Sequence, residues 1–334
     1  MKLLIVAPSW VGDMTMAQSL FKECRSLDPD AVIDVVAPAW SLPLLNRMPE
    51  VRRGIALPVG HGKLGLAVRR RIGRSLIREA YDRAIIIPRT WKSALIPFFA
   101  GIPVRTGFVG ELRFGLVNDL RRLDKARLDQ TIRRQLALEG DKNAALPPKV
   151  RFYPELMVDP VNQSRLVRDL DLSLDRPVVC FCPGAAYGPA KQWPIDYFRK
   201  LAGDLIDAGY QVWTLGSPKE KVLGQEIDPD RPGWYQNLCG RTRLEDAIDL
   251  MDLAEHCVSN DSGLMHVAAA TGTKLQAIYG SSSPHYTPPL TQQATIHYLG
   301  LACSPCFKRT CPLGHRNCLY EISPEKILES VQSS

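Results

Sequence analysis

The stretch Ser259-Asn260-Asp261-Ser262-Gly263-Leu264-Met265-His266, followed by Val267-Ala268-Ala269-Ala270, has the form of a strand end, a sharp polar turn and a tightly packed helix start. Its approach, Glu255-His256-Cys257-Val258, is the apolar run of a strand. Asp, Ser and Gly at the turn, with a His one helical turn in, would aim backbone N–H groups and the helix dipole at one point, a ready anion site. The same residues also suit an ordinary helix cap, since Asp and Ser are preferred there and Gly eases the turn. Under either reading, a strand passing directly into a helix is the repeating unit of parallel α/β layers.

Working outward, that unit recurs along the chain. In the first half, apolar runs predict strands near 2–7, 32–37, 54–57, 84–87 and 103–107, with helices near 14–27, 40–47, 64–80, 92–100 and 128–139. A Pro- and charge-rich interval from Lys142 to Pro160 reads as a linker. The second half restarts at Val178-Val179-Cys180-Phe181-Cys182, with further strands near 211–215, 255–259 and 275–279. Helices are predicted there near 195–208, 218–227, 243–253 and 264–271. Ser323-Pro324-Glu325 opens a last helix with a cap, a first-turn proline and an acid. The expected fold is α/β: two doubly wound Rossmann-like domains, 1–155 and 156–322, facing each other across a cleft. Residues 323–334 are expected to pack back towards the first domain.

Composition narrows the class. A hydrophobic content of 45% and a charged content of 23% are ordinary for a soluble globular protein. No apolar run approaches the ~20 residues of a membrane span. Lys2 to Pro8 is too short for a signal-peptide core, so a cytoplasmic protein is expected. Cys180, Cys182 and Cys257 lie in strand-like runs, where reduced cysteine behaves as a small hydrophobe. The net charge of +7 is uneven: residues 1–150 hold 25 Lys and Arg against 14 Asp and Glu, and the remainder 17 against 21. The basic half is expected to meet something anionic, for which nucleic acid, a membrane surface and a phosphorylated glycolipid all qualify.

In open α/β sheets, ligands sit beyond the carboxyl ends of strands. The first such turn, Pro8-Ser9-Trp10-Val11-Gly12-Asp13-Met14, lacks a dinucleotide glycine pattern but offers Asp13 as a helix cap or a general base. Arg89, Lys92, Arg105 and Arg113 follow predicted strand ends and are placed to meet phosphate. Arg69-Arg70-Arg71 and Arg74 lie on an amphipathic helix that suits either solvent or anionic lipid. The loop Pro183 to Pro194 combines Gly and Ala, which permit close backbone approach, with the cation Lys191, where a diphosphate would be held. Glu220, after the next strand, could accept from a ribose hydroxyl or simply favour a helix start. Thr242 and Glu245 have capping-box spacing.

Taken in order, Gly12-Asp13, the Pro183 to Pro194 loop with Lys191 and Trp193, Gly240-Arg241-Thr242, Asp261 to His266 and Tyr279-Gly280-Ser281 carry a resemblance spanning nearly the whole chain. It resembles the ADP-heptose:lipopolysaccharide heptosyltransferases, inverting enzymes with the GT-B glycosyltransferase fold. The resemblance implies transfer of L-glycero-D-manno-heptose from ADP-heptose, with Asp13 as catalytic base and Lys191 as a donor-phosphate ligand. It also implies that Asp261, Ser262, Gly263 and His266 line the donor, Asp261 by orienting backbone or binding a sugar hydroxyl. The tail from Cys303 to His315 most resembles the members that add the second inner-core heptose, to heptosyl-Kdo2-lipid A. Addition of the first or a later heptose is the alternative. The family can carry hydroxyl residues where this chain has Ala185-Ala186, so backbone N–H groups must replace those contacts. The resemblance further implies work at the cytoplasmic face of the inner membrane, in peripheral contact with its anionic surface. No Asp-x-Asp metal pair is evident in the cleft loops, so no cofactor is expected for catalysis.

Cys303, Cys306, Cys311 and Cys318 follow a C-x2-C-x4-C-x6-C spacing. Structural zinc fits the first pair, but the four crowd more tightly than in two-knuckle sites, so reduced thiols are the preferred reading. A nucleic-acid-binding role is disfavoured, because the basic residues are not interleaved with aromatic stacking platforms. An ADP-sugar epimerase remains a third class, distinguished by conversion without any acceptor.

Overall fold

The computed structural model describes residues 1–60 and 62–333. The chain divides into two compact units, Met1–Pro154 and Glu155–Ser334. The first holds strands β1 (Lys2–Val6), β2 (Val32–Pro38), β3 (Val51–Leu57), β4 (Arg83–Ile86), β5 (Val104–Phe108) and β6 (Asp119–Arg121). The second holds β7 (Val178–Cys182), β8 (Gln211–Thr214), β9 (Tyr235–Asn237), β10 (His256–Asn260), β11 (Lys274–Ile278) and β12 (Ala294–His297). The sheets run β3-β2-β1-β4-β5-β6 and β12-β11-β10-β7-β8-β9. All pairings are parallel among the described residues. Numbered within its own unit, each sheet has the order 3-2-1-4-5-6, the doubly wound topology.

Parallel strands covered by helices on both faces must be apolar, and the central strands β1 and β7 are buried along nearly their whole length. Leu3, Leu4 and Ile5 of β1, and Val179, Cys180 and Phe181 of β7, have no exposed surface. The winding reverses between β1 and β4 and again between β7 and β10, because β1 and β7 pair on both sides. Each reversal opens a crevice at the carboxyl ends of its two strands, where ligands bind in such sheets. The turn containing Asp13 follows β1; the loop containing Lys191 and the turn at Asp261 follow β7 and β10.

Two elements differ from the sequence reading. The linker interval ends in a helix, Pro160–Asp169, whose N-cap Asp159 accepts from the Val161 and Asn162 N–H groups. The helix Leu244–Asp252 is capped one residue later than expected: Asp246, not Glu245, accepts from the Arg243 N–H at 2.9 Å. The last helix, Pro324–Gln332, buries Ile327 and Val331 with Trp193, Phe198 and Leu201 and so is part of the core of the second unit. Arg69 is buried, donating to the Leu64 carbonyl at 2.7 Å, whereas Arg70, Arg71 and Arg74 stay exposed. No helix among the described residues is long and apolar enough to cross a membrane.

Candidate functional site

In the first unit, Asp13 is the third residue of the helix Val11–Leu27, half-buried at the crevice after β1. Trp10 is the N-cap and supplies no side-chain bond, so Asp13 is the acid in the positive first turn. Its main-chain carbonyl accepts from Gln135 Nε2 at 3.0 Å, which ties this turn to the helix Thr131–Leu136.

Of the four cations expected to meet phosphate, two are committed elsewhere. Arg113 is 1% exposed and its Nε and Nη2 both donate to the Phe108 carbonyl, with Nη1 donating to Pro88 at 2.8 Å. Burial, with Arg89 nearby, lowers its guanidinium to about 10. Arg105 donates to the carbonyls of Leu116, Ile102 and Gly115 and lies against the Phe98 ring. Both fasten the loop after β5 and leave no fork for a ligand. Lys92 donates to the Gly62 carbonyl at 3.0 Å, and Arg89 is exposed after β4. Because Arg113 gives the buried Phe108 carbonyl both its Nε and its Nη2, Arg113→Ala is expected to cost about 1–3 kcal/mol of stability, the cost of one orphaned buried group. Urea denaturation checks this; an unchanged midpoint refutes it.

In the second unit, the expected donor residues converge. Lys191 Nζ lies 2.5 Å from Asp261 Oδ2, and the same oxygen accepts from the Ser282 hydroxyl. Asp261 is 5% exposed and Lys191 18%, so the pair is sheltered but reachable. Lys191 also lies 5.2 Å from the centre of the Tyr187 ring. Asn260, buried at the end of β10, clamps the lysine's loop: its Oδ1 accepts from Trp193 N at 3.0 Å and its Nδ2 donates to the Pro183 carbonyl at 2.7 Å.

Ser262 caps the helix Gly263–Thr271 with extended backbone and makes no side-chain cap bond. The first N–H groups of a helix have no partner within it, so this terminus presents donors and a positive dipole end beside Lys191. Gly272, at φ +83, closes the helix in the left-handed conformation that glycine adopts cheaply. His266 is 6% exposed, its Nδ1 has no partner, and burial lowers its pKa to about 4 despite Asp261. It is therefore a neutral imidazole beside the pair.

Glu220 accepts from the Ser217 N–H at 2.6 Å and packs against Gly184, where an added Cβ would lie 1.9 Å from its Oε1. That close approach sets a carboxylate between the loops after β7 and β8.

The cysteine tail is joined to this loop. Ala190 N donates to Arg309 O at 3.0 Å, Tyr187 hydroxyl to Phe307 O at 2.7 Å, and Phe307 N to Ser281 O at 2.7 Å. Cys303, Cys306, Cys311 and Cys318, with His315, line a small cavity of about 20 Å³ behind Ala190 and Ser281. All four thiols are free, and main-chain N–H groups of Arg316, Leu313 and Gly314 lower that of Cys311. No group of three His, Cys, Asp or Glu among the described residues is arranged to hold a metal.

Sequence reading missed Ser282, Asn260 and Tyr187, whose roles depend on partners 21 to 120 residues away. The only signal was position: Asn260 at the end of a strand and Ser282 in the turn after one.

Comparison with known proteins adds an independent line. The model of glycosyltransferase family 9 (heptosyltransferase) matches residues 69–316. Over 341 residues the chain is 46% identical to Lipopolysaccharide heptosyltransferase 2 of Salmonella typhimurium, covering 100% of this chain and 98% of that protein. It is 45% identical to Lipopolysaccharide heptosyltransferase 2 of Escherichia coli, with the same coverage. The solved structure of E. coli ADP-heptose lps heptosyltransferase II superposes with a TM-score of 0.88 at 43% identity, covering 100% of this chain and 98% of that one.

Proposed function

The chain belongs to glycosyltransferase family 9, the heptosyltransferases, and on that premise we propose that it transfers heptose from ADP-heptose to the lipopolysaccharide inner core. The proposed acceptor is heptosyl-Kdo2-lipid A. The observation that carries the donor reading is the convergence of Lys191, the Asp261–Ser282 contact and the bare N-terminus of Gly263–Thr271 at the reversal of the second sheet.

In the proposed reaction, Asp13 accepts the proton of the acceptor hydroxyl as its oxygen attacks the anomeric carbon of the donor. The C–O bond to ADP breaks as the new C–O bond forms, through an oxocarbenium-like state of the kind known from glycoside hydrolysis. Negative charge grows on the departing diphosphate, where Lys191 and the helix N–H groups stabilise it; preorganised donors of this kind are worth about 3–4 kcal/mol each. Asp261 carries a negative charge and is a poor phosphate ligand, so its part is to hold Lys191. In this reading Glu220 accepts from the ribose, and neutral His266 offers a hydrogen bond without adding charge.

Peripheral contact with an anionic membrane surface belongs to the same reading. Its support is exposed Arg70, Arg71 and Arg74 on one helix of a unit that also exposes Leu112 (87%) and Phe114 (68%).

The test is ADP release from ADP-heptose with no acceptor, with Kdo2-lipid A and with heptosyl-Kdo2-lipid A. Release that requires the heptosylated acceptor is expected. Release with Kdo2-lipid A alone reassigns the step to the first heptose, and conversion of ADP-heptose without acceptor removes the transfer reading.

A further inference from the structure

With Arg105 and Arg113 committed to carbonyls, the strongly basic first unit presents a different place for an anion. A cavity of about 210 Å³ opens beside the last residues of β5 and β6, with Phe108 and Leu128 as apolar floor and Arg121, Arg122, Arg127 and Lys142 around it. Asp141 is the carboxylate on its lining. The volume falls below the ~300–1,000 Å³ of sites that swallow a whole small ligand, so it suits one group of a larger molecule.

Arg121 frames this cavity. It is 9% exposed, and its Nη1 donates to the Ala137 and Gly140 carbonyls at 2.5 and 2.6 Å. Its Nη2 donates to Asp119 at 3.1 Å, while its Nε is buried with no partner. Arg121 is thus spent on those carbonyls and paired with Asp119, so it fixes the cavity wall, and the cations left for an anion are Arg122, Arg127 and Lys142. The Arg127 Nη1 is likewise steadied by the Ala144 carbonyl.

The cavity is also coupled to the catalytic turn. Ala137 follows directly on the helix Thr131–Leu136, and Gln135 of that helix, 3% exposed, donates to the main-chain carbonyl of Asp13. A group bound in this cavity is thus registered, through one short helix, to the base that must meet the acceptor hydroxyl.

We propose that this cavity is the subsite for an anionic group of the acceptor, a phosphate or a sugar carboxylate, and that it rests on the transfer reading above. Arg122, Arg127 and Lys142 anchor that group, and Asp141 limits the site to one anion.

Arg122 and Lys142 are exposed, so Arg122→Ala/Lys142→Ala leaves the buried frame in place. The full chain is assayed for turnover and, without donor, for equilibrium binding of heptosyl-Kdo2-lipid A. Loss of two cations from a sheltered anion site is expected to raise acceptor KM and Kd at least about tenfold, with kcat and donor KM within about twofold. The same measurements on acceptor stripped of its lipid A phosphates separate the sources: the difference between variant and wild type disappears if phosphate is the occupant and persists if it is the carboxylate. A variant that matches wild type in acceptor KM and Kd overturns the subsite alone. A wild-type chain that neither binds nor glycosylates this acceptor overturns the transfer reading and the subsite with it.

Discussion

Asp13→Asn is expected to lower kcat by about 10²–10⁴-fold, the range for a general base lost from a proton transfer. Asn keeps the size and hydrogen-bonding reach of the side chain, and the Gln135 bond is to the main chain, so the turn survives the change. The helix Val11–Leu27 loses one favourable first-turn charge, a cost of about 0.3–1 kcal/mol that leaves the unit folded. Donor KM is expected to stay near wild type, because the groups assigned to ADP lie in the second unit. Loss of kcat at unchanged donor KM separates a base from a binding residue. A variant turning over within a few-fold of wild type removes Asp13 from the chemistry.

Lys191→Ala is expected to act on both binding and rate, lowering kcat/KM for ADP-heptose by about 10²–10³-fold, the cost of one preorganised donor to a developing anion. It also leaves Asp261, 5% exposed, with its charge supported by the Ser282 hydroxyl and not by a cation. A buried charge stripped of its partner destabilises, here by about 1–3 kcal/mol. The two effects separate in the double variant Lys191→Ala/Asp261→Asn, which removes the orphaned charge: its urea midpoint is expected to recover while activity stays low. If activity recovers along with stability, Lys191 is a structural partner of Asp261 and not a ligand of the donor.

What could be read from the sequence, and what could not, follows from the range of the interactions. The buried central strands β1, β4 and β7 announced themselves as apolar runs, since strands between two helix layers face no water. The edge strands did not: Asp119–Arg121 and Tyr235–Asn237 are three residues each, and polar enough to pass for loop. The helix Pro160–Asp169 lay inside the interval read as a linker, although Asp159-Pro160 is a cap followed by a first-turn proline and was a usable signal.

The same limit divides the site. Asp13, Lys191 and Asp261 could be found because each lies on the segment between a strand and the helix that follows it or in that helix's first turn, a position defined by local pattern. Their pairing could not, because Lys191 and Asp261 are 70 residues apart. Arg105 and Arg113 carried the right charge after the right strands, yet a long guanidinium side chain can turn inward to main-chain carbonyls as readily as outward to phosphate. Arg121, by contrast, attracted no notice in the sequence. Its environment is made by carbonyls 16 and 19 residues downstream.

The central claim is a single displacement at the donor's anomeric carbon with Asp13 taking the acceptor proton. Its most direct test is the anomeric configuration of the newly formed linkage, read by NMR on the product of the wild-type enzyme, ADP-heptose and heptosyl-Kdo2-lipid A. The displacement predicts a configuration opposite to that of the donor. Retention of the donor's configuration would contradict it.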